Sequence, residues 1–278
     1  MAALTWDDTG SRLYETGTKK GVLFPKNANG VYQSGVAWNG LTAVSESPSG
    51  AEETALYADD IKYLSLRSAE EFGATIEAYT YPDAWADCDG SATLDDGIYI
   101  GQQTRRGFAL SYVTTLGNDT QGNDHGEKLH IIYNAMASPS EKSYATINDS
   151  PEAITFSWEL TTTPITFRSD LKPSATLTID STKCAADVYQ AIKDKLYGTS
   201  STEPTLPEPG WIIELIGTST SYTYTAVSTS SEGYDDANPH DMGWYEKTSD
   251  DPAAYRRTSD VVVDISTTYY SREPVSNG

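Results

Sequence analysis

Apolar and polar residues alternate over much of this chain. In AITFSWEL, Ile154, Phe156, Trp158 and Leu160 fall on one face, with Thr155, Ser157 and Glu159 on the other. ATLTID repeats the pattern with Ala175, Leu177 and Ile179, LHIIY with Leu129, Ile131 and Tyr133, and FALSYV with Phe108, Leu110 and Tyr112. Period-two runs rich in β-branched and aromatic residues predict strands with one buried and one wet face. VAWNGLTAV and ATIEAYTY add two more, and WIIELIG, SYTYTAV and DVVVDIS extend the series toward the carboxy terminus. Asn39-Gly40, Gly117-Asn118-Asp119, Gly122-Asn123-Asp124 and Pro173-Ser174 are turn signals between the runs. GNDTQGNDHG reads as a hairpin tip; it departs from the residue order of a calcium loop.

One segment has a different period. STKCAADVYQAIKDKLYG places Ala185, Val188, Ile192 and Leu196 on one stripe at three- and four-residue steps. Ser181 or Thr182 can cap its start, Lys193 and Lys195 suit its last turn, and Gly198 suits the stop. The prediction is one helix over about 181–197, packed against a sheet. TSSTEPTLPEPG, residues 199–210, then reads as an extended connection. The expected organisation is a mainly β sandwich with one flanking helix over 1–198, a Pro-rich connection with a possible strand over 199–216, and a β-rich extension over 217–278. Its core is expected to include Ile154, Phe156, Trp158, Leu160, Leu177, Ile179, Val188, Ile192 and Leu196. The acidic stretch SEGYDDANPHDMGWYEKTSDD reads as a long loop in the extension.

Composition changes the picture in two ways. Hydrophobic residues make up only 38% and the mean hydropathy is −0.48, but 19 tyrosines argue for a folded protein with half-buried strands and wet interfaces. A net charge of −21 repels phosphate, so ordinary nucleic-acid binding is unfavourable. The two cysteines, Cys88 and Cys184, lie in unrelated contexts and form no zinc-type cluster. MAALTWDDTG has neither the basic nor the apolar region of a secretory leader, and no run is long enough to span a membrane. The expectation is a soluble protein made in the cytosol.

Catalytic signatures are missing as well. No phosphate loop, HExxH, GxSxG or SxxK occurs, and His125, His130 and His240 sit singly, His130 on the opposite strand face from Leu129 and Ile131. Asp87 with Asp89, or Glu152 with Glu159, are weak candidates for a glycosidase-like carboxylate pair. The expectation is no catalytic residue, no metal and no cofactor. Trp38, Trp85, Trp158, Trp211 and Trp244 could instead form a sugar-stacking platform, although core packing is the favoured role for Trp158.

The stretch LYADDIKYLSLRSAEEFGATIEAYTYPDAWADCDG mixes apolar anchors with adjacent acids and carries no recognisable chemistry. It belongs to a set of blocks that resemble the major tail (tail tube) proteins of long-tailed bacteriophages. The others are YETGTKKGVLFP, GVAWNGLTAVSESPSGAE, IGQQTRRGFALSYVTTLGNDTQG, SPSEKSYATINDSPEAITFSWELTTTP and KPSATLTIDSTK, together running from about Tyr14 to Lys183. The resemblance implies a β-sandwich flanked by a helix, assembled as hexameric rings that stack into a hollow tube around a tape-measure protein. It further implies tail-tip and terminator proteins as partners, DNA passing through without specific binding, and residence in the virion after assembly in the host cytoplasm. It does not reach the stretch from about Gly217 to Gly278.

In that family a long loop or hairpin between early strands reaches the next ring. By order along the chain, residues 47–73 occupy this place. Leu56, Tyr57, Ile61, Tyr63 and Leu66 would supply apolar anchors, and Glu52, Glu53, Asp59, Asp60, Lys62 and Arg67 directional charge pairs. Two other readings stand beside this one: a carbohydrate-binding β-sandwich module of a phage adhesin or secreted enzyme, and a secreted glycosidase.

Overall fold

A computed structural model describes residues 4–147, 149 and 153–218, together with the backbone of four strands beyond them. In chain order the elements are β1 (Leu13–Pro25), β2 (Val36–Trp38), β3 (Leu41–Glu46), β4 (Ser49–Gly50), β5 (Glu53–Ala58), β6 (Ile61–Arg67), β7 (Glu70–Glu71) and β8 (Gly73–Ala78). There follow α1 (Trp85–Cys88), β9 (Ala92–Asp95), β10 (Ile98–Ile100), β11 (Phe108–Asn118), β12 (Gly122–Ala137), β13 (Phe156–Thr162), β14 (Thr176–Asp180), α2 (Ala186–Tyr197) and α3 (Pro209–Thr218). The strands β15 (Tyr222–Val227), β16 (Trp244–Asp250), β17 (Ala253–Ser259) and β18 (Tyr269–Pro274) complete the series. The chain divides into two units, Met1–Leu215 and Ile216–Gly278. The protein is mainly β.

The first unit is built on one antiparallel sheet in the order β2-β1-β11-β12-β13-β8-β3, with β14 also paired to β12. Asn134 explains how one sheet makes two layers. It takes φ 51° at a bulge in β12, which pairs with β14 over 128–132 and with β13 over 135–137. The extra residue flips the side-chain alternation, so Ile132 and then Ala135 and Ala137 face the same interior. The path also returns on itself: its two end strands, β2 and β3, are joined by Asn39 and Gly40 alone, the latter at φ 76°. The expected sandwich is therefore one sheet folded over, not two.

Inside the fold lie Trp38, Trp85 and Trp158 at ring separations of 4.7 to 5.8 Å, packed with Phe108, Leu110, Ile76 and Leu160. On the outer face of β1, β11 and β12, helix α2 covers a second core of Phe24, Val113, Leu129, Ile131, Tyr133, Val188, Ile192 and Leu196. FALSYV is thus buried on both faces rather than one, Ala109, Ser111 and Val113 being as enclosed as Phe108 and Leu110. Of the other expected core residues, Ile179 is buried and Phe156 and Leu177 are half-buried. Ile154 lies before the strand begins and is exposed, because β13 starts at Phe156.

The helix starts later than expected. Ser181 and Thr182 belong to a turn in which the Thr182 backbone N–H and hydroxyl both donate to Asp180, at 2.9 and 2.6 Å. Ala185 is the exposed residue before the first turn, and Gly198 ends the helix at φ 73°. The connection after it is packed rather than free: Leu206 and Pro207 are buried, and the Thr205 N–H donates to the Lys195 carbonyl at 2.7 Å. WIIELIG is helix, not strand; Pro209 at the first position of α3 is suited to a helix start. In the second unit β15, β18, β16 and β17 form a four-stranded antiparallel sheet. SYTYTAV supplies β15, WYEKTSD at the end of the expected acidic loop is β16, and DVVVDIS lies outside the described residues.

Glu127 ties the layers together. Its carboxylate accepts from Lys193 at 2.9 Å and Tyr189 at 3.0 Å on α2, and lies 3.7 Å from Lys20 on β1. Burial raises its proton affinity, but Lys193, Tyr189 and Lys20 outweigh this and hold the carboxyl below its ordinary range. A depressed folded-state value means the stabilisation is present above the unfolded carboxyl value and is lost as pH falls through the folded one. Glu127→Gln should cost about 1–3 kcal/mol near neutral pH. That difference, measured by urea unfolding, should shrink as the pH drops below about 4.3.

Candidate self-assembly surface

Between β3 and β8 the chain leaves the sheet and returns as a hairpin. The β4–β7 pair forms its stem and β5–β6 its blade, with Asp59 and Asp60 both at positive φ, 50° and 59°, in the two-residue turn. The hydrogen-bonded ladder of β5 is with β6 alone. A bulge sets the two faces: Leu56 pairs with Leu64, but Tyr57 pairs with Lys62, leaving Tyr63 as the extra residue.

Directly paired residues share a face and alternate residues share a side. One face of the blade therefore carries Leu56, Ala58, Ile61, Leu64 and Leu66, and the other Glu53, Tyr57, Lys62, Ser65 and Arg67. The charged face is internally satisfied. Glu53 accepts from Lys62 and from Ser65 Oγ at 2.6 Å, and lies 3.7 Å from Arg67, and these donors hold its carboxyl below the ordinary range. The apolar face is uncovered: Leu56, Ile61, Leu64 and Leu66 are 41, 64, 37 and 54% exposed. An isolated two-stranded ribbon with one apolar side in water is at best marginally stable.

The sequence-predicted residues fall into separate places. Leu56, Ile61 and Leu66 gather on the apolar face; Tyr57, Glu53, Lys62 and Arg67 gather on the charged one. Tyr63 stands at the bulge, 69% exposed, Asp59 and Asp60 form the tip, and Glu52 lies in the stem. Leu64 was missed because the bulge that brings it round is not visible in the alternation. A second hairpin, β9–β10, was missed too, although Asp96-Gly97 between ATLD and IYI was a usable turn signal; it leaves Leu94, Ile98 and Tyr99 more than half exposed.

The base of the blade is anchored by polar contacts. Thr162 Oγ1 donates to the Phe72 carbonyl at 2.7 Å, and the Tyr112 hydroxyl donates to Glu46 at 2.8 Å. Tyr112 stacks on His130, ring centroids 4.7 Å apart, and His130 meets Thr114 at 2.9 Å, so this histidine is held in a packed polar network. Burial pushes its pKa down.

The other candidates dissolve into packing. Asp87 is paired with Arg106 at 2.8 Å, and buried Asp89 with Arg105 and Lys142, so each carboxylate has its own base. Glu152 lies outside the described residues and Glu159 is exposed on β13. Trp38, Trp85 and Trp158 are at most 3% exposed and offer no platform; Trp211 is half-buried, and the side chain of Trp244 lies outside the described residues. His125 meets Gln121 and Asn118 in the hairpin tip, and His240 lies outside the described residues. Cys88 and Cys184 are both free thiols, and burial pushes Cys88 up to about 12. Among the described residues no cluster of three or more metal-ligating side chains occurs, and no helix is long and apolar enough to cross a membrane.

No protein-family model matches the sequence, and no curated protein matches it. Among solved structures, the chain is similar to one in the six-fold symmetrised cryo-EM structure of the anti-feeding prophage baseplate. The two share 9% identity at a TM-score of 0.32, over 65% of this chain and 100% of that one. A likeness of that size fixes neither family nor function.

Replacing Leu56, Ile61, Leu64 and Leu66 by serine removes apolar side chains that the subunit leaves 37 to 64% exposed. The melting profile of the protein should stay close to wild type, with changes of about 0.5 kcal/mol or less per site, while binding of an apolar dye by the isolated subunit falls.

Proposed function

We propose that this protein is a structural virion subunit that assembles with copies of itself into stacked rings, forming the tail tube of a long-tailed phage. The observation that carries the reading is the hairpin of residues 53–67, whose whole apolar face stands in water. A monomer gains nothing from such a ribbon, whereas burying it against an identical neighbour removes about 25 cal/mol of unfavourable hydration per Å² of apolar surface. A contact between an arm and a different surface of the next copy is head-to-tail, and repeats without closing. Lateral pairing that closes makes the ring, and the arm stacks one ring on another.

In this reading the rings are hexamers around a tape-measure protein, capped by tail-tip and terminator proteins, assembled in the host cytoplasm and carried in the virion. The net charge of −21 suits a conduit through which DNA passes without adhering, since every cationic contact to phosphate would strengthen binding. The protein is not an enzyme in this account, and the unpaired hairpins serve in place of a catalytic cleft.

Negative-stain microscopy of purified protein tests the reading. Wild-type chain should form rings or tubes as its concentration rises, while a variant lacking residues 50–66 should remain folded and stay unassembled. Normal tubes from the deletion variant would remove the arm from the account.

A further inference from the structure

Beside α2 and α3 lies a pair of adjoining openings, about 580 and 370 Å³, that share Tyr32, Leu206 and Glu208. Two lysines flank them. Lys26 sits 4.6 Å over the Tyr32 ring and donates to Asn134, and Lys195 sits 4.6 Å over the Trp211 ring. Neither ammonium meets a carboxylate within 4 Å among the described residues, in a chain with forty acids. Glu208 lines both openings and Glu203 accepts from Ser34 at their rim at 2.7 Å, so two ammoniums and two carboxylates share a groove walled by aromatic rings. Burial lowers the pKa of Lys26.

The tip of the blade is its complement. Asp59 and Asp60 project from the turn with no cation paired to them among the described residues, because Lys62 and Arg67, the bases of the arm, are both engaged by Glu53. Exposed Tyr57 and Ile61 flank the two acids. Among the described residues, the two ammoniums of the groove and the two carboxylates of the tip are thus without an ion pair. The cations lie on rings suited to stack against a tyrosine or an aliphatic side chain.

We infer that the groove between Lys26 and Lys195 is the receiving site for the Asp59–Asp60 tip of a second copy. This deepens the tail-tube reading and rests on it: the reading needs a surface for the arm to reach, and the groove supplies two ammoniums with room for a carboxylate partner. Docking would pair the carboxylates with Lys26 and Lys195 and place Tyr57 or Ile61 against Tyr32 and Trp211. Like charges brought together at such a contact are strongly unfavourable, so the fit also selects register.

Charge reversal tests it with full-length protein. One variant carries Lys26→Glu and Lys195→Glu, the other Asp59→Lys and Asp60→Lys, and circular dichroism with gel filtration confirms that each remains a folded subunit. Each alone should raise the concentration needed for assembly by about tenfold or more, read by sedimentation and electron microscopy. Mixing the two should restore assembly, because each tip then finds a groove of opposite sign on the other variant, and the quadruple variant should assemble alone. Wild-type assembly by the folded groove variant, alongside failure of the arm deletion, would overturn the docking site while leaving the arm in place. Failure of the mixture and of the quadruple variant to recover would overturn it equally. Wild-type chain that never assembles would overturn the tail-tube reading and the docking site with it.

Discussion

A two-stranded ribbon cannot shelter its own apolar side. The two buried cores are each enclosed by a second layer: the tryptophan cluster by the folded-over sheet, the outer face of β11 and β12 by helix α2. The β5–β6 blade has no second layer. Its charged face is tied together around Glu53, so the ribbon is shaped as a finished part with one surface left open. In the proposed assembly, the partner that covers this surface is another copy of the chain.

The body behaves as a mount for this part. The bulge at Asn134 lets a single sheet form two layers, and the β3–β8 ladder holds the two feet of the arm side by side. Hydrogen bonds from Tyr112 to Glu46 and from Thr162 to Phe72 clamp those feet to strands β11 and β13. The clamp at Glu46 runs into the packed His130, Thr114 and Glu15 network, so the arm leaves a rigid frame rather than a loose loop. The receiving groove is framed by the other layer, at the exit of α2 and the start of α3.

Much of this was legible in the sequence, for reasons that residues make plain. The alternation around Trp158 and the three- and four-residue stripe of Val188, Ile192 and Leu196 are local patterns, and local patterns survive into the fold. Partner switching is not local. Nothing around Asn134 announces that β12 serves β14 and then β13, and FALSYV read as a strand with one wet face because the helix that covers its other side comes much later in the chain. The bulge at Tyr63 had a similar effect at smaller scale: plain alternation groups Ile61 with Tyr63, whereas the ladder groups Ile61 with Leu64 and Leu66. A short apolar run does not declare its period, and WIIELIG was read as strand even though Pro209-Gly210 favoured a helix start. The lysines of the groove were invisible for a third reason, since residues 26 and 195 meet only through Tyr32, Leu206 and Trp211 in space.

The account stands on the blade being open in the subunit and closed in the assembly. Amide hydrogen exchange over residues 53–67, compared between dilute subunit and sedimented assembly, measures this directly. Rapid exchange in the subunit, relative to β11 and β12, and strong protection after assembly is the predicted result. Equal exchange in both states, or an arm already protected in the monomer, would contradict it.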